Sequence, residues 1–535
     1  MKRSPLNFLG ALLVCCMLLS ACDKTTQQSA SQQSAAQEDD PDRLLVLAGS
    51  ELKDIEALLP SIKAATGVEL VPKYAGTLEA VERLQGGEAF DLAWLASNRY
   101  ASLVPAVKAR IAASERTMLT PVVLGIKQSR ARELGWENNP TLTWKDIASA
   151  AVVGKFTFGM TSPATSNSGF AGLLGLAAAL SGKGDALEEK DIDAERLAEF
   201  FKAQRLTAGS SGWLADAYVK DQGKVDGMIN YASTMLALNR SATLKEPLVL
   251  IYPQDGIVTA DYLIMLINPA RRAAYDKVVA YIRGTVFQKA MSAQTLRRPV
   301  NPDVAQPPVP PQALVELSFP AKLAVVDAIV AAFDNQVRLP TDSTFVLDHS
   351  GSMSNGRIEQ LKQAMLGLSG VDTTVSGRYA RFRNRERVFL VPFSSRPGAT
   401  EGYDMGKSEV DNRATLALLS KRVGLLKPTD GTAIYDSLMQ AYKEALARRR
   451  VDPQRFYSIV VMTDGENTEG ATAYDFTRWH AALPAADRDL RVFPVVFGEA
   501  DAAELQRVAE LTGGRSFDSR KSSLAAIFKE IRGYQ

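Results

Sequence analysis

Thr344-Phe345-Val346-Leu347-Asp348-His349-Ser350-Gly351-Ser352 decides the fold of the C-terminal third of this chain. A short apolar, β-type run delivers an acid and two hydroxyls at alternate positions, so three oxygens leave one strand together. Hard divalent cations take oxygen ligands in near-octahedral geometry at about 2.0–2.1 Å and keep some of their waters. Taken alone, Asp-x-Ser-x-Ser reads equally well as a turn, because Asp, Ser and Gly are ordinary turn formers. Two further stretches change the balance. Asp430-Gly431-Thr432 opens a helical pattern, Ala433 to Leu438, and Val460-Val461-Met462-Thr463-Asp464-Gly465 puts an acid at the tip of a second apolar strand.

In this order, and set between strands and helices, the three pieces resemble the metal ion-dependent adhesion site of von Willebrand factor type A domains. The resemblance covers residues 341–535, including Gly513-Gly514-Arg515-Ser516-Phe517, which leads into a late strand in bacterial members. It implies a doubly wound, Rossmann-like α/β domain whose ligands lie at the carboxyl ends of the strands. It also implies that Ser350, Ser352 and Thr432 bind a cation directly, and that Asp348 and Asp464 do so directly or through water. A carboxylate from a protein partner would complete the sphere. Mg2+ is the implied cofactor, with Mn2+ or Ca2+ as alternatives, since oxygen-only sites suit hard cations and neither Cys nor His is among the ligands. Strands are expected at 344–347, 388–393, 457–463 and 490–497, and closing helices at 502–512 and 523–532.

Asp348-His349-Ser350 also suggests a catalytic triad, but triads are built by three-dimensional geometry and consecutive residues on a tight loop rarely converge that way. His349 and His480 are the only histidines, and neither a Gly-x-Ser-x-Gly nor a Gly-x-x-x-x-Gly-Lys-Ser/Thr pattern occurs. The expectation is a binding protein and not an enzyme, with His349 at the rim of the metal loop.

The amino terminus reads as a targeting segment. Lys2 and Arg3 precede an apolar run, Phe8 to Leu19, too short to span a bilayer comfortably. Leu19-Ser20-Ala21-Cys22 resembles the lipobox of bacterial lipoproteins, which implies cleavage after residue 21 and acylation of Cys22; a plain secretory signal with a chance Cys is the other reading. Asp23 then implies retention at the periplasmic face of the inner membrane. The remaining cysteines, Cys15 and Cys16, leave with the signal, so no intrachain disulfide is expected. Lys2 and Arg3 leave too, which takes Lys and Arg from 62 to 60 against 60 acids. A neutral chain offers no general electrostatic case for nucleic acid. Residues 22–42, rich in Gln, Ser and Ala with no apolar period, read as a disordered tether.

Between residues 43 and 302 strands and helices alternate, which predicts a largely parallel sheet. The strands read from Leu44-Leu45-Val46-Leu47, Val68 to Val71, and Phe90 to Trp94. Gly49-Ser50, Ala75-Gly76-Thr77, Asp91 to Ser97, the crossover-like Thr120-Pro121-Val122-Val123-Leu124, and Ser166-Asn167-Ser168-Gly169 resemble type II periplasmic solute-binding proteins, nearest the branch that binds tetrahedral oxyanions. That implies a two-lobed domain with Ser50, Thr77, Ser97 and Ser168 around an oxyanion, and Tyr231 as a ligand or hinge residue. Hydroxyls at strand-to-helix turns suit an anion at helix N-termini; as helix N-caps they would satisfy only their own helices.

Residues 303–312 read as a Pro-rich linker. Residues 313–340 carry an amphipathic helix, with Leu323, Val326, Ile329, Val330 and Phe333 on one face, expected to pack at the start of the C-terminal domain. Arg378, Arg381, Arg383, Arg385 and Arg387 read as a solvated loop or, more sharply, as a contact for anionic lipid or an acidic partner. The combined expectation is a lipid-anchored periplasmic binding and adhesion protein that docks a protein partner through a divalent cation and binds or senses a small solute. The alternative is a component delivering an oxyanion to an ABC-type permease.

Overall fold

The structure, a computed structural model, describes residues 40–183, 186–307, 315–371, 381–429, 431–498, 502–520 and 524–534. The expectations for the signal segment, Cys22, residues 23–39 of the tether, Arg378, Asp430 and linker residues 308–312 lie outside them.

Two lobes form the first domain. Strand Arg43–Gly49 pairs in parallel with Glu69–Ala75 and Leu92–Leu95, and Leu263–Leu266 runs antiparallel between Leu92–Leu95 and Ala113–Arg116. The second lobe is a mixed sheet around Met118–Lys127, which pairs antiparallel with Gly227–Tyr231, Leu248–Ile251 and Val258–Ala260. Phe158–Thr161 and Gln204–Ala208 extend it in parallel. The sheets are therefore mixed, because each crossing segment runs back against its neighbours. The chain crosses between lobes at Thr117 and again at Asp261-Tyr262. These crossings are stitched together: Thr117 donates from its N–H (2.9 Å) and its Oγ1 (2.8 Å) to the Tyr262 carbonyl, and Trp94 Nε1 donates to Thr117 Oγ1 (3.0 Å).

The segment expected to open the C-terminal domain belongs instead to the first core. Helix Leu323–Ala332 buries Val325, Val326, Ile329 and Val330 in the first domain's hydrophobic cluster, and Phe333 meets Phe201 edge-on at 5.2 Å. Leu317 is buried beside them, and Ile257 pairs with Glu316. An amphipathic face names what a helix must bury but not which neighbour covers it.

The C-terminal domain is a six-stranded sheet in the order Glu401–Asp404, Arg387–Phe393, Thr341–Asp348, Phe456–Thr463, Arg491–Val496, Phe517–Asp518. All pairs are parallel except the edge strand Glu401–Asp404. Separate apolar clusters cover its two faces. Every residue of the central strand Thr341–Asp348 is buried, including the polar Thr341-Asp342-Ser343-Thr344. Arg448, from helix Ile434–Val451, permits this by pairing with Asp342 at 2.9 Å, donating to Thr344 Oγ1 at 2.8 Å and stacking over Phe389. The chain leaves this strand to one side and returns on the other, so the topology reverses at the carboxyl end of Thr341–Asp348.

The described members of the arginine cluster, Arg381, Arg383, Arg385 and Arg387, are engaged within the fold. Arg381 pairs with Glu409, Arg383 with buried Asp334, and Arg387 with Asp452 at 3.5 Å; Arg385 donates to the carbonyls of Asn335 and Arg338. Glu386 lies between Arg338 and Arg532. Buried Asp334 draws Arg383 inward and buried Glu386 draws Arg338 and Arg532, while Arg381 and Arg387 pair nearer the surface.

Candidate functional site

The metal motif gathers at the topological reversal. Strand Thr341–Asp348 ends on Asp348, whose carboxylate is fully buried. Its Oδ1 accepts from the Ser350 N–H (2.7 Å) and its Oδ2 from Thr463 Oγ1 (2.6 Å). Ser350 Oγ is 2.9 Å from Ser352 Oγ, which donates to Asp464 Oδ1 at 2.7 Å. A Cβ on Gly465 would stand 3.0 Å from Ser352 Oγ and 3.8 Å from Thr432 Oγ1, which puts Thr432 beside the two serines. Thr432 is clamped through its backbone: its N–H donates to Thr468 Oγ1 and its carbonyl accepts from the Thr468 N–H, both at 2.9 Å. The side chains of Asp348, Ser350, Ser352, Thr432 and Asp464 thus meet at one carboxyl edge, two carboxylates and three hydroxyls.

Burial pushes the Asp348 carboxyl above its usual range, against hydrogen bonds from Thr463 and Ser350 that lower it. A carboxylate held in this way wants a cation, and the donor set fits a hard divalent ion bound by Asp348, Ser350, Ser352, Thr432 and Asp464. Among the described residues no three of His, Cys, Asp and Glu come together as metal ligands, so the set at this edge has only two carboxylates and draws its other oxygens from hydroxyls. Positive charge already reaches the edge from Arg357, whose Nη1 lies 2.8 Å from Asp464 Oδ2. Sequence reasoning missed Arg357, which carries no pattern, and Thr463, whose signal was a hydroxyl next to the acid. His349 turns away: its Nδ1 lies 3.0 Å from the Lys427 carbonyl and 3.2 Å from Thr429 Oγ1.

A cleft of about 780 Å3 lies between the lobes of the first domain. The lobes approach backbone to backbone, since a Cβ on Gly76 would sit 1.8 Å from the Thr165 carbonyl oxygen. Of the five residues expected here, Ser50 lines the cleft. Thr77 is buried next to the cleft residue Gly76, its Oγ1 without a hydrogen-bond partner. The others are committed to local structure. Ser97 Oγ accepts from the Arg99 N–H, Ser168 Oγ sits among the hydroxyls of Thr161 and Ser166, and the Tyr231 hydroxyl accepts from Asn167 Nδ2. None of these three lines the cleft. Charged residues that the sequence did not flag line it as well, Glu51 and Arg297 among them. Glu51 has an unpartnered Oε1, and burial raises its pKa. Arg297, 2% exposed, spends Nη1 on Asp54 (2.7 Å) and Nη2 on the Glu51 carbonyl (3.3 Å), leaving Nε unpartnered.

Residues 44–295 match the family model of bacterial extracellular solute-binding proteins, and residues 342–530 that of the von Willebrand factor type A domain. An uncharacterised protein of Synechocystis sp. is 34% identical over 139 residues, 26% of this chain and 28% of that protein, so the match spans under a third of its length. Among solved structures, a periplasmic binding protein of Actinobacillus pleuropneumoniae with bound fructose-6-phosphate is 14% identical, with a TM-score of 0.42 over 55% of this chain and 98% of that one. The sulfate-binding protein of Mycobacterium tuberculosis is 18% identical, with a TM-score of 0.39 over 53% and 96%. The two matches divide the chain into two modules. This chain carries a bacterial solute-binding domain followed by a von Willebrand factor type A domain. Among the described residues no helix is long and apolar enough to cross a membrane.

Proposed function

We propose that this protein is a lipid-anchored binding and adhesion protein of the periplasmic face of the inner membrane, and not an enzyme. Its C-terminal domain docks a protein partner through a Mg2+-type ion, and its N-terminal domain takes up a small polar solute. The docking half rests on the convergence of Asp348, Ser350, Ser352, Thr432 and Asp464 at one sheet edge. Three neutral hydroxyls leave a bound cation electron-poor and able to take a partner's carboxylate. Calorimetry of the full chain with Mg2+ and Mn2+ tests this; no heat of binding to either would remove the docking half. The solute half rests on buried polar atoms around the cleft that lack partners, Glu51 Oε1, Thr77 Oγ1 and Arg297 Nε, since such atoms are costly unless something satisfies them.

The alternative, delivery of an oxyanion to an ABC-type permease, draws on Lys53, Arg297 and Arg515 along the cleft. Five carboxylates line the same cleft and weigh against it. Binding of phosphate, sulfate, molybdate or tungstate by the full chain would favour that alternative.

A further inference from the structure

The interlobe cleft has a third wall, supplied by the other domain. Arg515 and Glu530 line it together with residues of both lobes. Arg515 follows helix Ala502–Thr512; its guanidinium lies 3.5 Å from the centre of the Trp213 ring and pairs with Glu530. Glu530 comes from the last helix, Leu524–Arg532, and just past it Tyr534 stacks on Trp213 at 5.8 Å with 22° between the rings. The backbones also meet. Thr207 Oγ1 donates to the Gly533 carbonyl at 3.4 Å, and a Cβ on Gly533 would stand 2.6 Å from Gly209 Cα. Only glycine allows an approach this close. The end of the chain is therefore fitted against the cleft and not merely tethered near it.

The charges bear on what this pocket takes. Five carboxylates and three cations line it, and two of the cations are already paired, Arg297 with Asp54 and Arg515 with Glu530. Besides the charges of Lys53, Glu79 and Asp216, the lining holds two buried atoms without a hydrogen-bond partner: an acceptor, Glu51 Oε1, and a donor, Arg297 Nε on a side chain only 2% exposed. A filling solute must donate to one and accept from the other. A dianion would also face the carboxyl groups of Glu51 and Glu530, among five that line the cleft, and like charges repel.

We infer that the solute site is composite: Arg515 and Glu530 of the C-terminal domain bind the solute together with Glu51 and Arg297, and the solute is a small amine zwitterion with its ammonium toward the carboxylates and its acceptor toward Arg297. The inference rests on the cleft being a solute site, and it adds a consequence. A solute held by both domains clamps them together, so occupancy of the first module is felt at the second.

The test uses the full chain and four probes: L-arginine, L-glutamine, inorganic phosphate and sulfate. One or both amino acids should raise the thermal midpoint and bind by calorimetry, since a ligand of the native state stabilises it, and neither oxyanion should. Glu530→Gln and Arg515→Ala should each weaken that binding at least tenfold, with Arg515→Lys recovering part of the loss. Arg520→Ala, in the same domain but outside the cleft lining, should bind as the wild type does. If Glu51→Gln abolishes binding while Glu530→Gln and Arg515→Ala leave it intact, the composite site is overturned and the cleft reading stands. Stabilisation by phosphate or sulfate alone overturns the solute class. No response to any of the four probes overturns both this inference and the cleft reading.

Discussion

Glu386→Gln should be the most damaging single substitution in the C-terminal domain. The Glu386 side chain is fully buried between Arg338 and Arg532, the latter at 2.6 Å, and accepts from the Arg383 N–H at 2.9 Å. Burial alone would raise its pKa; Arg532 and Arg338 outweigh burial and hold it at about 2, against 4.5 for an ordinary glutamate. At about 1.4 kcal/mol per unit, that difference corresponds to about 3 kcal/mol of stability. A second route gives a similar figure. Removing the charge takes the nearest carboxylate from two buried guanidinium groups, and breaking a buried pair from one side costs about 3–5 kcal/mol. For a domain of this size about 4 kcal/mol lowers the midpoint by about 8–16 °C. The sign with pH follows from a depressed carboxyl: the stabilisation is complete above about pH 4.5 and disappears as the pH falls through 2. Calorimetric scans of the full chain at pH 7 and at pH 3 should therefore show a large gap between wild type and Glu386→Gln that narrows in acid. Replacing the set with Arg338→Met, Glu386→Leu and Arg532→Met should recover much of the loss, because well-packed apolar groups can substitute for a buried triad. A loss under about 1 kcal/mol at pH 7, or a gap as wide at pH 3 as at pH 7, would refute the reasoning.

Asp348→Ala and Thr432→Ala should each lower Mg2+ affinity at least about tenfold and abolish capture of the protein partner; Asp348→Ala should also lower the metal-free midpoint, because the Ser350 N–H and the Thr463 hydroxyl lose their buried acceptor, whereas Thr432→Ala should leave it within a few degrees; capture that survives both the substitution and chelation would count against the site. Gly76→Ala places a Cβ 1.8 Å from the Thr165 carbonyl oxygen, so the lobes must part and solute binding should weaken at least about tenfold; unchanged affinity in calorimetry would show that the closed arrangement is not the binding one. Cys22→Ser should release the protein from membranes after a high-salt wash, and a variant that still sediments with them would end the lipid-anchor reading.

The sequence by itself determined the parallel strands at the centre of the C-terminal sheet and the loop of acid and hydroxyls that leaves one of them, because both are written in local pattern. The apolar runs at 344–347, 388–393 and 457–463 lie within strands 341–348, 387–393 and 456–463. The loop oxygens follow from alternation along a strand that ends at Asp348. Where long-range partners set the outcome, local pattern misled. The expected strand began at Thr344, and Arg448, more than a hundred residues later, lets the polar Thr341-Asp342-Ser343 join it. Ser97 and Ser168 have the right residue type at the right kind of turn, yet Arg99, Thr161 and Ser166 absorb their hydroxyls. Glu51 is one glutamate among many until folding removes water from its Oε1 and supplies no donor. Helix Leu323–Ala332 shows its apolar stripe in sequence, but only the fold settles that the first domain covers it. The fit of Arg515, Glu530 and Gly533 against the cleft has no signature in the sequence at all. Hydrophobic period and turn chemistry act between near neighbours and can be read in order; burial, charge pairing and domain contact join residues hundreds of positions apart and exist only once the chain has folded.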